Sequence, residues 1–167
     1  MNFAIDACSA INLYNAEALE SVCMIPNIRI FISNSAKSEC KYGCETQISK
    51  LIADGLIQNI EDSAIPVSHF LEIKAAYGLG DGETESIVAC QALGYTLISD
   101  DGAARKIGIA TLGQARVIGS IRLLRLGVEF NLFDCAQAFL RFKIMVAAGG
   151  FLPQVSHGFF CDKLPGC

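Results

Sequence analysis

Short apolar runs that stop at polar residues, each followed by a stretch with helical spacing, recur along the chain. Asn2-Phe3-Ala4-Ile5 ends at Asp6, and from Ser9, a suitable N-cap, Ile11, Leu13, Ala18, Leu19 and Val22 keep to one helical pattern. Pro26-Asn27 marks a turn. Ile28-Arg29-Ile30-Phe31-Ile32 is β-branched and aromatic, as a second strand requires, and Ser33-Asn34-Ser35 then offers caps for a helix running through Glu39. Ile48, Leu51 and Ile52 predict a further helix ending near Asp54-Gly55, with a short strand between Leu56 and Ile60 before Pro66. A helix over His69 to Tyr77, a glycine-rich turn over 78–82, and a helix over Glu83 to Leu93 closed by Gly94 follow. The pattern then predicts a strand over Tyr95 to Ser99, a helix over Gly102 to Ile109 and a last strand over Ala115 to Gly119. Helices are expected beyond Ser120, among them Phe133 to Ala147.

Strands that alternate with helices pair in parallel through right-handed crossovers, which predicts an α/β fold: a three-layer α/β/α sandwich with a central parallel sheet. One domain is expected over residues 1–148. Residues 149–167 show no period and read as a C-terminal extension of unknown role laid on the surface. In parallel sheets the functional edge is the one at the carboxyl ends of the strands. Asp6, Asp100 and Asp101 each follow a predicted strand directly, so all three are expected at that edge.

The composition supports this picture and narrows the chemistry. Hydrophobic residues make up 52% of the 167 positions, consistent with strands buried on both faces, while no unbroken apolar stretch is long enough to span a bilayer. The N-terminus has an acid at position 6 and no basic residue before its apolar run, so it predicts a cytoplasmic protein without a secretory signal. Eight cysteines lie scattered among apolar residues and read as reduced, core-filling thiols. Cys40 and Cys44 are within reach of each other on one helix face, but no second close Cys or His pair completes a zinc site. His69 and His157 have no evident partners and read as structural or surface residues. A net charge of −4 does not advertise a nucleic-acid binder through bulk electrostatics, so binding of that kind needs a local basic patch or a bridging metal.

Two further acids extend the cluster. Glu39 lies about one turn into the helix after the second strand, and Glu83 opens the helix before the strand that leads to Asp100. Glu85 is two positions from Glu83, too few for both to face one pocket from a helix. Carboxylates gathered this closely raise one another's pKa and call for a counter-charge. All-oxygen ligation suits Mg²⁺ or Mn²⁺, and a water activated by such an ion attacks a phosphodiester. Taken singly, Asp6, Asp100, Asp101 and Glu83 are also what a helix N-terminus attracts, and Glu39 is what a solvated helix face carries; the order and the common edge favour a metal site. Arg105 and Lys106, just past the acids, are the candidate substrate-binding residues for an RNA phosphate.

AIDACSAINL around Asp6, SAKSEC around Glu39, and GDGETESIVACQALGYTLISDD with Ala104-Arg105 behind it resemble the PIN domain family, especially its prokaryotic toxin-like, VapC-type branch. The resemblance spans about residues 1 to 125, and its most specific part is the GExE helix, the apolar strand and DDxxAR. It implies a PIN-like, Rossmann-like fold and a Mg²⁺- or Mn²⁺-dependent endoribonuclease. Asp6, Glu39, Glu83 and Asp101 would be the catalytic, metal-holding acids, with Asp100 an auxiliary ligand or a helix cap. It also implies an RNA substrate, a homodimer and, if the protein is a toxin, a small antitoxin partner. Where the family usually has Ser, Thr or Asn two residues after the first acid, this chain has Cys8, with Ser9 beside it. A PIN fold that binds RNA or protein without turnover is the alternative. Phosphoacceptor receivers and haloacid-dehalogenase-like phosphatases fit poorly: the former need their acid pair near the first strand, the latter an Asp where Cys8 stands.

Overall fold

The computed structural model describes residues 1–41 and 43–161. Five strands form one sheet: β1 (Asn2–Ile5), β2 (Arg29–Ile32), β3 (Ile57–Asn59), β4 (Thr96–Ile98) and β5 (Val117–Ile118). Every pairing is parallel, in the order β3-β2-β1-β4-β5, with Ala4 of β1 in register with Phe31 on one side and Leu97 on the other. From β1 the chain builds outward one way through β2 and β3, then returns to lay β4 and β5 on the opposite side. The junction of β1 and β4 is therefore the switch point at which such sheets open a crevice.

Alternation along the strands divides the core into two layers. Phe3, Ile5, Ile30, Ile32 and Ile98 pack on one face, and Ala4, Leu97 and Val117 on the other. The first face is covered by α1 (Ala7–Asn15), α2 (Leu19–Cys23), α4 (Cys44–Ala53), α8 (Ser120–Glu129) and α9 (Cys135–Ala147), through Leu13, Leu19, Ile48, Leu124 and Phe142. The second is covered by α5 (Val67–Tyr77), α6 (Asp81–Leu93) and α7 (Gly102–Leu112), through Ile73, Ile87, Val88 and Ala104. The short α3 (Asn34–Glu39) adds Ala36 to the first layer. The architecture is the expected three-layer α/β/α sandwich. Among the described residues no helix is long and apolar enough to cross a membrane.

Four expectations are corrected. The predicted single helix from Ser9 to Val22 breaks at Ala16–Ala18, where Glu17 takes a left-handed backbone (φ 52°) and Ala18 N–H donates to Leu13 O at 2.8 Å. A straight helix would separate Leu13 and Leu19 by about 120° around its axis, whereas the break lets both be fully buried in one core. Cys40 and Cys44 do not share a helix, since α3 ends before Cys40 and α4 starts at Cys44, and the Cys40 thiol donates to Ala36 O at 3.3 Å. The stretch after Gly149, expected on the surface, instead forms α10 (Gly158–Cys161) against α8 and α9 and buries Phe160 completely. That docking joins Cys135 to Cys161 in a disulfide, so among the described residues the reduced reading holds for Cys8, Cys23, Cys40, Cys44 and Cys90. Cys167 and the rest of 162–167 lie outside the described residues.

Candidate functional site

Asp6 stands at the carboxyl end of β1, its N–H extending the ladder to Ile98 O at 3.0 Å. Its Oδ1 accepts the Ser9 N–H at 2.8 Å, so Asp6, and not Ser9, caps α1. The residue is 1% exposed, and Oδ2 is buried without a partner among the described residues. Burial pushes the carboxyl up from 3.8 to about 7; the hydroxyls of Ser99 and Ser9 and the Ser9 N–H oppose the shift, and the charge of Asp100 adds to it.

Asp100, after β4, is held on both oxygens. Ser120 N–H at the start of α8 donates to Oδ1 at 2.9 Å, and Asn12 Nδ2 donates to Oδ2 at 2.8 Å. Asp101 caps α7 through the Ala104 N–H at 2.7 Å. Glu39, at the end of α3, accepts from Gly82 N–H at 2.9 Å. Gly82 is required there: a Cβ would lie 2.8 Å from Ala36 Cα and within 2.9 Å of both Glu39 carboxylate oxygens. Glu83 Oε2 accepts from Gly80 N–H at 2.9 Å at the start of α6. Glu83 and Glu39 are neighbours, since a Cβ on Gly80 would stand 3.2 Å from Glu83 Oε2 and 3.8 Å from Glu39 Oε1. Glu85 points elsewhere and takes both the N–H and the hydroxyl of Ser35.

Half-buried Cys8 reports on the shared field. Burial, and then the charges of Asp6, Asp100, Asp101 and Glu83, push its thiol up to about 12. Four of the five acids thus act on Cys8 through their charge, and Glu39 is a neighbour of Glu83. They share one region without enclosing a common point: among the described residues, no three acid, His or Cys side chains are grouped to hold an ion as they stand.

A PIN-domain family model matches residues 2–152, most of the chain. The chain belongs to the PIN-domain family. No curated protein and no solved structure matches it significantly.

PIN domains are nuclease-type folds that usually use divalent metals, and the donor set here fits a hard cation in kind. It is all carboxylate, and its deepest member, Asp6, carries a buried oxygen with no partner. Of the basic residues expected nearby, Arg105 lies at the same edge with Nη1 on Ser99 O at 2.8 Å, while Lys106 is exposed on α7. His69 and His157 are both exposed; the His157 ring packs against Phe139 and lies near Cys161. The acids also have close neighbours that the sequence reading did not single out as site residues. Asn12 and Ser120 orient Asp100, and the buried hydroxyls of Ser9 and Ser99 flank Asp6. A signal for them exists: Ser9 and Asn12 interrupt an apolar helix at the three-residue spacing that continues from Asp6, and Ser99 and Ser120 stand at strand ends.

Proposed function

We propose that this PIN domain is a metal-dependent endoribonuclease, with Asp6, Glu39, Glu83 and Asp101 as the catalytic acids and Asp100 as an auxiliary ligand. The observation that carries the reading is the buried, unpartnered Oδ2 of Asp6 at the β1/β4 switch point, with the charge of Asp100 nearby. Mg²⁺ or Mn²⁺ held by these acids would supply the positive charge that activates an attacking water and offsets charge on the leaving oxygen. The chain's own residues do the positioning. Ser9 fixes one Asp6 oxygen and leaves the other open, Asn12 and Ser120 hold Asp100, and Arg105, anchored on Ser99 O, offers its remaining donors to an RNA phosphate with Lys106 beside it. Incubation of the protein with RNA, with and without Mn²⁺, tests this; cleavage that requires the metal and is lost in Asp101→Asn is expected, and equal cleavage by the variant overturns the assignment.

The toxin-like motif GExE…DDxxAR supports a toxin role, with a homodimer and a small antitoxin as partner. Co-purification with the product of a short neighbouring reading frame, and inhibition of cleavage by it, are the expected results. A second reading, an RNA- or protein-binding module without turnover, is favoured by the engagement of the acids with backbone N–H groups. Mn²⁺ binding without cleavage of any RNA would select it.

A further inference from the structure

A cavity of about 210 Å³ opens beside the carboxylate edge, between α7, α8 and the segment that follows Gly149. Asp100 and Arg105 form its inner end, and Arg122 stands at its rim. The opposite wall is apolar: Leu152, Val155 and Phe159 from the C-terminal segment face Ile121 of α8. Gly119 keeps the inner end open, for a Cβ there would lie 2.7 Å from Asp100 Oδ1 and 3.2 Å from Arg105 Nη1.

The apolar wall is held in place. Phe160 is wholly buried beneath it, Arg125 Nη1 donates to Phe159 O at 3.0 Å, and the Arg125 guanidinium lies 5.2 Å from the Phe159 ring centre. The charged end is adaptable. Arg105 is anchored by one nitrogen on Ser99 O, and Arg122 is paired with Glu129 at 2.8 Å on an exposed surface, where an ion pair contributes little and is readily exchanged for a stronger anion. An apolar slot ending in two guanidinium groups suits a flat ring joined to an anion. A chain of net charge −4 that places two arginines in one cavity next to its acids has made the local patch that a polyanion requires.

We infer that this cavity is a nucleotide subsite, with the base between the Leu152, Val155, Phe159 wall and Ile121 and its phosphate on Arg105 and Arg122. Resting on the endoribonuclease reading, it selects the RNA residue that flanks the cleaved bond. The C-terminal segment thereby becomes part of substrate recognition.

Titration of the full chain with the four nucleoside 5′-monophosphates, ribose 5-phosphate and inorganic phosphate, followed by calorimetry, tests the subsite without catalysis. Saturable binding of at least one nucleotide is expected, about ten-fold tighter than ribose 5-phosphate. Val155→Trp, which fills the slot, and the surface change Arg122→Ala should each weaken it about ten-fold while the melting temperature stays near that of the parent. Ribose 5-phosphate binding as tightly as any nucleotide, nucleotide binding unchanged in both variants, or occupation by a short acidic apolar peptide and by no nucleotide would each overturn it. The two readings fail separately. Nucleotide binding in the slot without RNA cleavage under any metal keeps the subsite and removes the nuclease, whereas cleavage whose sequence preference is unchanged in Val155→Trp does the reverse.

Discussion

Asn12 Nδ2 donates to Asp100 Oδ2 at 2.8 Å across 88 residues of sequence, tying the helix after β1 to the acid after β4. Asn12 is 4% exposed, so removing its amide leaves a carboxylate oxygen short of a donor in a poorly hydrated site. Asn12→Ala is expected to lower the unfolding free energy by about 1–3 kcal/mol in urea denaturation. Asn12→Asp, which sets a carboxylate against Asp100, should cost more at pH 8 than at pH 5. Equal losses at the two pH values would show that Asn12 serves packing and not the charge of Asp100.

The buried Asp6 carboxyl, held at about 7 against an ordinary 3.8, predicts a definite pH dependence. Between those values the folded state keeps a proton that the unfolded chain has released, so stability from this group is full below 3.8 and is lost as pH rises through about 7. Asp6→Asn keeps an oxygen for the Ser9 N–H and abolishes the titration. In metal-free buffer at pH 8 it should be more stable than the parent, by something on the order of 2–4 kcal/mol, with a flatter melting temperature between pH 5 and 8. A variant that melts lower than the parent at pH 8 would refute the assigned shift.

A cation that binds only the folded chain raises its melting temperature by mass action. At a concentration about 100 times the dissociation constant the gain is about 2.7 kcal/mol. Mn²⁺ should therefore stabilise the parent and leave the Asp6→Asn/Asp101→Asn double variant unmoved in differential scanning fluorimetry. The response should shrink as pH falls through about 7, where the proton on Asp6 competes with the metal.

Gly82 lets α6 approach α3 closely enough for its N–H to reach Glu39. Gly82→Ala places a methyl group against Ala36 and the Glu39 carboxylate, at separations that real side chains do not adopt. A loss of about 1–3 kcal/mol is expected from overpacking. RNA cleavage should fall further than Gly108→Ala lowers it, because the Cβ at Gly108 meets Leu97 and Val117 in the core and no acid.

Phe160 ties the C-terminal segment to the domain. Phe160→Ala should cost about 3–5 kcal/mol, read as a lower urea midpoint. A cost under 1 kcal/mol would mean that the segment lies on the surface after all.

The strand and helix order, the parallel sheet and the common edge of Asp6, Asp100 and Asp101 were legible because each rests on local information: runs of β-branched residues, helical spacing, and polar residues at the ends of apolar runs. The two-layer core was implied too, since Phe3 and Ile5 must face away from Ala4 in any extended strand. The partition between Glu83 and Glu85 was half legible; spacing said that only one could face the pocket, and the hydrogen bonds of Ser35 decided that Glu85 turns away.

What only the tertiary structure decided depends on residues far apart in the chain. The break at Glu17 follows from the need to bury both Leu13 and Leu19 in one layer, a condition set by the sheet and not by local propensity. The docking of Phe160, the pairing of Cys135 with Cys161 and the hold of Asn12 on Asp100 each join segments that no periodicity links. Burial likewise belongs to the fold: nothing in AIDACSAINL distinguishes a solvated helix cap from a carboxyl raised to about 7, because desolvation is created by the layers that close over β1 and β4. Sequence determined which acids reach the edge of the sheet, and the three-dimensional packing determined their partners, their charge and the cavity beside them.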